Sequence, residues 1–248
     1  MNLDRVIAVR NSKTIYRDGD RCVKVFDETY SNADVLNEAL NQARAGEEGI
    51  NTPKILEVTN ENGRWAIISE FIKGKTLEQL MKENPDKTEE YLKLFVDLHV
   101  EILSHSGRLL KTQKDELDRK IFDSDLDATT RFDLFSKLAE EHGKYMICHG
   151  DFIPSNIIIS EEGKAYILDW SHATKGSPCG DAARTYLLLS VNNKDIADRY
   201  LDLFCEKRGE SKEEIMKWVP IVAASQSVNC NKEDRAFMLS RVLEAACN

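Results

Sequence analysis

Residues 145–170 interrupt a helix-forming half of the chain with a segment that admits few folds. It reads Ile147-Cys148-His149-Gly150-Asp151-Phe152-Ile153-Pro154-Ser155-Asn156, followed by Ile157-Ile158-Ile159. A turn at Glu161-Glu162-Gly163 then leads into Ala165-Tyr166-Ile167-Leu168-Asp169-Trp170. Branched side chains favour extended backbone, and a glycine-bearing turn folds the second run back on the first. The segment is therefore a loop stiffened by Pro154, followed by a β-hairpin whose second strand ends in an aspartate. The loop holds Asp151 and Asn156 five residues apart, and the hairpin is expected to return Asp169 beside them. Such oxygen donors suit a hard divalent cation such as Mg²⁺, above all when phosphate oxygens complete its shell.

The flanks differ in kind. Val6 to Val9, Thr14 to Asp18 and Arg21 to Phe26 read as short strands, with Asp18-Gly19-Asp20 as a tight turn. Ser31 to Ala45 reads as a helix, with Val35, Leu36, Ala39, Leu40 and Ala43 at helical spacing. Ile55 to Thr59 and Trp65 to Ile72 read as two more strands around Asn62-Gly63. After Lys73-Gly74-Lys75 the pattern turns helical. Thr76 caps a short helix that stops at Asn84-Pro85. Thr88 opens a longer one, with Tyr91, Leu94, Phe95, Leu98 and Ile102 on one face and Ser106-Gly107 at its end. Helices are also expected near 114–122, 129–142, 181–191, 195–207, 212–226 and 232–246. Ser211 and Glu214 make a capping-box pattern, and Pro220 predicts a kink or early break. The fold class is thus α+β, with residues 1–72 as one lobe and 73–248 as a mostly helical second lobe.

Composition removes several function classes. The chain has 248 residues and a net charge of −9, with Lys and Arg never gathered into a basic stripe, so nucleic acid is not the expected partner. No apolar run approaches the ~18 residues of a membrane span, and the N-terminal Met1-Asn2-Leu3-Asp4-Arg5 is no secretory signal. Cys22, Cys148, Cys179, Cys205, Cys230 and Cys247 have no C-x-x-C spacing and read as reduced thiols of a cytoplasmic protein.

H-G-D-x-x-P-x-N over His149 to Asn156, followed by a strand ending in Asp169-Trp170, resembles the catalytic signature of the aminoglycoside phosphotransferase and choline kinase superfamily. These small-molecule kinases are relatives of the protein kinases, whose versions are H-R-D-x-x-x-x-N and D-F-G. The resemblance implies a bilobal, protein-kinase-like fold and ATP and Mg²⁺ as cofactors. It implies Asp151 as the proton acceptor, Asn156 and Asp169 as metal ligands, and His149 as structural support of the loop. In Arg21-Cys22-Val23-Lys24-Val25-Phe26, period-two alternation puts Lys24 on the face opposite Val23 and Val25. By the same resemblance Lys24 binds the α- and β-phosphates, and Glu38, fourteen residues on, pairs with it. Backbone groups of Glu70 and Ile72 would meet the adenine edge. Asp181, after Ser177-Pro178-Cys179-Gly180, braces the catalytic loop, and His99 reads as a core histidine.

Two departures stand out. The turn Arg10-Asn11-Ser12-Lys13 lacks the glycines of a protein-kinase phosphate loop, so backbone N–H groups and Ser12 would do that work. Ser171-His172 follow Trp170 where many relatives carry an acidic residue. The acceptor is a small-molecule hydroxyl, aminoglycoside-, choline- or amino-alcohol-like, whose identity the residues do not reveal. Asp123, Asp125 and Asp127 could attract an amine or form a solvated face, and Tyr186 and Trp218 could wall a cation or fill the core. A catalytically silent, nucleotide-binding scaffold is the competing function. A protein kinase fits worse, since no activation segment with an A-P-E ending follows Trp170.

Overall fold

A computed structural model of the chain describes residues 3, 5–10, 12–61, 63–140, 145–228 and 230–244. Asn11, Asn62, Cys247 and the last residues of the helices expected over 129–142 and 232–246 lie outside the described residues. The first half contains β1 (Val6–Arg10), β2 (Lys13–Asp18), β3 (Arg21–Phe26), α1 (Asn32–Glu47), β4 (Ile55–Glu61) and β5 (Arg64–Glu70). There follow β6 (Gly74–Thr76), α2 (Leu77–Glu83), α3 (Thr88–Ile102), α4 (Gln113–Phe122) and α5 (Ala128–Glu140). The rest comprises β7 (Met146–Cys148), β8 (Ile157–Ser160), β9 (Ala165–Ile167), β10 (Thr174–Gly176), α6 (Pro178–Asn192), α7 (Lys194–Arg208), α8 (Lys212–Gln226) and α9 (Lys232–Glu244). By contacts these form two compact units, Met1–Lys87 with Pro154–Ala173, and Thr88–Ile153 with Thr174–Asn248.

In the first unit, β1-β2-β3-β5-β4 make one antiparallel sheet. Gly19, at φ 63, supplies the left-handed residue that the β2–β3 turn needs. The pleat sorts β3 by parity. Val23 packs with Ala66 and Ile68 on one face. Phe26 and Ile67 pack on the other against Val35 and Ala39 of α1. Burial of Val23, Ile68, Phe26, Ile67 and Val35 contributes roughly 1.5–3 kcal/mol each.

The buried face of α1 differs from the expected one. Leu36, Leu40 and Ala43 are exposed, whereas Glu38, Asn41 and Gln42 are buried with Val35, Ala39 and Ala45. The polar side chains have partners that justify the exchange: Asn41 Nδ2 donates to Trp170 O at 3.2 Å and Gln42 Nε2 to Pro53 O at 2.6 Å. A second, small sheet runs β6-β8-β9 and ties the hairpin to this unit. Its register puts Gly74 opposite Ser160, where a Cβ would lie 2.1 Å from Ile159 O, so only glycine fits. Thr76 ends β6 and opens α2 with a reciprocal capping box to Gln79.

In the second unit α3 turns by about one residue from the expected face, burying Leu92, Phe95, Val96, His99 and Ile102. The register follows from its partners: Phe95 stacks on Phe152, and His99 on Phe152 and Tyr200. α3 ends at Ile102, short of Ser106-Gly107, because Gly107 N–H donates instead to Tyr145 O. β7 and β10 form an antiparallel ribbon with Cys148 opposite Thr174. Ser211 Oγ accepts from Glu214 N–H at 3.1 Å, and α8 continues through Pro220 to Gln226, so the proline does not end it. Among the described residues no helix is long and apolar enough to cross a membrane.

Candidate active site

The parity that buries Phe26 against α1 turns Lys24 to the same side, with Ile15 and Ile67 beside it in register. This face of the sheet lines a cavity of about 380 Å³, a size suited to a small ligand. Cys22, Lys24, Ile67, Ser69 and Glu70 come from the sheet, Phe71 and Ile72 from the segment leaving it, and Asn156, Leu168 and Asp169 from the hairpin and the loop before it. Leu168 N–H donates to Asn156 O at 2.8 Å, and this bond sets Asn156 and Asp169 side by side.

Asp169 sits past the end of β9 at φ 61 and ψ 67, the one non-glycine residue at positive φ among those described. That conformation costs about 1–2 kcal/mol and persists where surrounding contacts determine it. Here they are ionic. Lys13 Nζ donates to both carboxylate oxygens at 3.1 and 3.0 Å, Ser171 Oγ donates at 3.0 Å, and Lys24 Nζ lies 3.6 Å away. Lys24 is also bonded to Glu38 Oε1, and Glu38 Oε2 is buried 3.8 Å from Lys13 Nζ. Burial would raise the Asp169 pKa, but the charges of Lys24 and Lys13 outweigh it and hold the carboxyl well below the usual range. Burial likewise works against the Lys24 ammonium, and Asp169 and Glu38 overcome it, raising its pKa.

Among the described residues no cluster of three or more His, Cys, Asp or Glu could hold a metal. The hairpin's carboxylate and carboxamide fit a hard cation only where a ligand supplies further oxygens, and both face the cavity. The end of β5 and the segment after it offer backbone groups selectively. Glu70 N–H donates to Lys54 O and Phe71 N–H to Asp20 O, so those donors are spent within the unit. Ser12 is not among the cavity's described lining; its carbonyl accepts from Asp27 N–H at 3.0 Å. Lys13, not Ser12, reaches inward from the glycine-free turn. Sequence reasoning missed it. The available signal was the alternation of β2, whose Ile15 faces the cavity and whose Lys13, two residues earlier, therefore shares that side.

Asp151 belongs to the second unit, on a loop held by one buried carboxylate. Asp181 Oδ2 accepts from His149 N–H at 2.9 Å, and Oδ1 from Gly150 N–H at 2.8 Å. His99 Nε2 adds a third bond at 3.1 Å, while its Nδ1 lies 2.8 Å from the Tyr200 hydroxyl. Asp151 N–H donates to His149 Nδ1 at 3.1 Å, and Thr185 Oγ1 to Phe152 O at 3.1 Å. Asp181 and Thr185, one turn apart on α6, thus grip consecutive parts of the loop. Between them Arg184 buries its Nε without a hydrogen-bond partner among the described residues. Burial lowers the Arg184 pKa against the opposing charges of Asp151 and Asp181.

Burial alone would raise the Asp181 pKa, yet its bonds to His99 and Gly150 and the neighbouring His149 bring it below the ordinary carboxylate value. A depressed carboxylate adds stability that is fully present above its unfolded pKa, about 4, and is lost as pH falls through the folded value. Asp181→Ala is accordingly expected to destabilise the chain by about 3–5 kcal/mol in urea melts at pH 7. The gap between variant and wild type should narrow below about pH 4. A pH-independent gap would mean that lost packing, not the carboxylate, carries the effect.

The acidic residues considered as an amine attractant are engaged locally. Asp125 pairs with Arg235, Asp123 lies 3.7 Å from Arg119, and Asp127 accepts from Thr130 N–H at 2.9 Å. Tyr186 and Trp218 are buried, and the Tyr186 hydroxyl is 3.1 Å from Asp198.

The family model described as "Phosphotransferase enzyme family" matches residues 7–216. No curated protein matches the chain in sequence. Among solved structures, aminoglycoside phosphotransferase APH(4)-Ia aligns with TM-score 0.72 at 15% identity, covering 95% of this chain and 90% of that one. A thermostable mutant of it, in ternary complex with AMP-PNP and hygromycin B, aligns with TM-score 0.70 at 13% identity over the same shares. Choline kinase LicA from Streptococcus pneumoniae aligns with TM-score 0.64 at 16% identity, covering 97% of this chain and 93% of that one. These likenesses carry the fold, an α+β architecture of the protein-kinase-like type. With the family model spanning most of its length, this chain belongs to the phosphotransferase enzyme family, whose members are kinases of small-molecule hydroxyl groups.

Proposed function

We propose that the chain transfers the γ-phosphoryl group of ATP to a hydroxyl of a small molecule, with Asp151 accepting the hydroxyl proton. The observation that carries this reading is the convergence of Lys24, Glu38, Asp169 and Asn156 around one cavity on the sheet face. Phosphoryl transfer asks a protein mainly for positioning and charge stabilisation, and this is a charge-bearing, pre-ordered set. A neighbour of the same fold crystallised with AMP-PNP and an aminoglycoside supports ATP as donor.

Residues 1–72 serve as the nucleotide-binding lobe and 73–248 as the catalytic and acceptor-binding lobe. Lys24, oriented by Glu38, binds the α- and β-phosphates. The Ile72 N–H and the Glu70 carbonyl meet the adenine edge. Asn156 and Asp169 would hold Mg²⁺, which would supply positive charge against the phosphate oxygens. His149 and Asp181 fix the loop so that Asp151 meets the acceptor in one orientation. Asp151 then takes the proton as the hydroxyl oxygen bonds to phosphorus and the bond to ADP breaks. A cytoplasmic setting accords with ATP as donor and with the free thiols of Cys22, Cys148, Cys179, Cys205 and Cys230.

One observation favours a second reading, a silent nucleotide-binding scaffold: Lys13 occupies both oxygens of the carboxylate assigned to the metal. An ADP-release assay of the purified chain over amino sugars, choline-like alcohols, homoserine and simple sugars separates the two. The kinase reading predicts acceptor-dependent ADP release with a phosphorylated product by mass. Mg-ATP-dependent thermal stabilisation without turnover across that panel establishes the scaffold instead.

A further inference from the structure

Lys13 carries a feature that the phosphotransfer reading alone does not use. It follows a turn without the glycines that let a loop wrap phosphates with its backbone N–H groups. In their place a single ammonium points to the carboxylate, 3.0 and 3.1 Å from its two oxygens and 3.8 Å from Glu38 Oε2. The Glu38 oxygen is buried and has no hydrogen bond of its own among the described residues. An ammonium has three donors on a flexible stem. A cation on Asp169 competes with Lys13 for the two carboxylate oxygens that the ammonium now bridges, so it weakens that two-point contact.

Resting on the nucleotide reading above, we infer that Lys13 is a second phosphate-binding lysine, taking over the role of a glycine-rich loop. When the metal takes Asp169, Lys13 leaves it, keeps one donor toward Glu38 Oε2, and turns the others to the β- and γ-phosphate oxygens. The same ammonium neutralises Asp169 and is one of the contacts that support its left-handed conformation. Lys13 thereby positions the nucleotide and is not itself a proton donor or acceptor in the transfer.

Equilibrium binding of a fluorescent ATP analogue and of unlabelled AMP to the purified full chain tests this without turnover. Lys13→Met is expected to weaken Mg²⁺-ATP analogue binding about ten- to hundred-fold, the worth of a charge-assisted hydrogen bond. AMP, which lacks the β- and γ-phosphates, should change less than about twofold, and Lys13→Arg should keep most of the ATP affinity. Mn²⁺ alone should bind Lys13→Met more tightly than wild type, because Asp169 is released. Unchanged ATP-analogue affinity in Lys13→Met overturns the inference and leaves a resting ion pair only. Equal losses for ATP analogue and AMP in both variants overturn it too, by showing a structural role. Failure of the wild type to bind the analogue overturns the nucleotide reading itself, a result distinct from either.

Discussion

Asp151→Asn is expected to lower kcat by about 10²- to 10⁴-fold while leaving nucleotide affinity and thermal stability near those of the wild type. The exchange is nearly isosteric and removes the capacity to accept a proton. The main-chain bonds that shape the loop are kept in the variant. Asp181 accepts from the backbone of His149 and Gly150, and the Asp151 bond to His149 Nδ1 comes from its main-chain N–H. Loss of turnover with unchanged ATP-analogue binding is therefore the signature of a chemical role. A variant with wild-type kcat would remove Asp151 from the reaction, and one that melted early would reassign it to holding the loop.

Asp169→Asn is expected to reduce turnover by about 10³-fold or more, since the metal-holding role proposed for Asp169 would be worth several kcal/mol at the transition state. Asparagine is the informative choice because it tolerates positive φ, so the φ 61 backbone is kept while the charge goes. Lys13 and Lys24 are then left with Glu38 as their one carboxylate, and stability should fall as well. The two effects separate by pH. The depressed Asp169 carboxyl contributes stability above its unfolded pKa, about 4, and loses it as pH falls through the folded value. The stability difference between variant and wild type should thus be largest near neutrality and shrink in acid, whereas the turnover defect should persist wherever both are folded. Saturating Mg²⁺ should not restore the variant. Full rescue by the metal would show that Asp169 only tunes affinity.

The reach of sequence reasoning varies by element in an instructive way. β3 came out with its bounds unchanged, Arg21–Phe26, and Lys24 lies on the face its parity predicted, because side-chain direction in a strand depends only on odd or even position. The Thr76 cap and the hairpin at 157–167 were equally legible, since turn and cap chemistry is settled within four residues. β6 was not, being three residues long and made a strand by its partner β8. The α1 face failed for a related reason. Apolar spacing proposed Leu36 and Leu40, but the helix buries Glu38, Asn41 and Gln42 because Lys24, Trp170 O and Pro53 O wait for them. A hydrophobic-period argument cannot see a polar face that is satisfied by distant partners.

What the sequence by itself determined, then, is the order of elements, the α+β class and the set of chemical groups assembled on the loop and hairpin. These rest on local rules: period, propensity, turns and a short motif. Only the tertiary structure decided which charges meet. Lys13 and Asp169 are 156 positions apart, and nothing in either neighbourhood specifies the other. Their pairing follows from the hairpin's attachment through β6 and from the β2–β3 register. Electrostatic partners are chosen by distance in space, which the chain sets only after its sheets have closed.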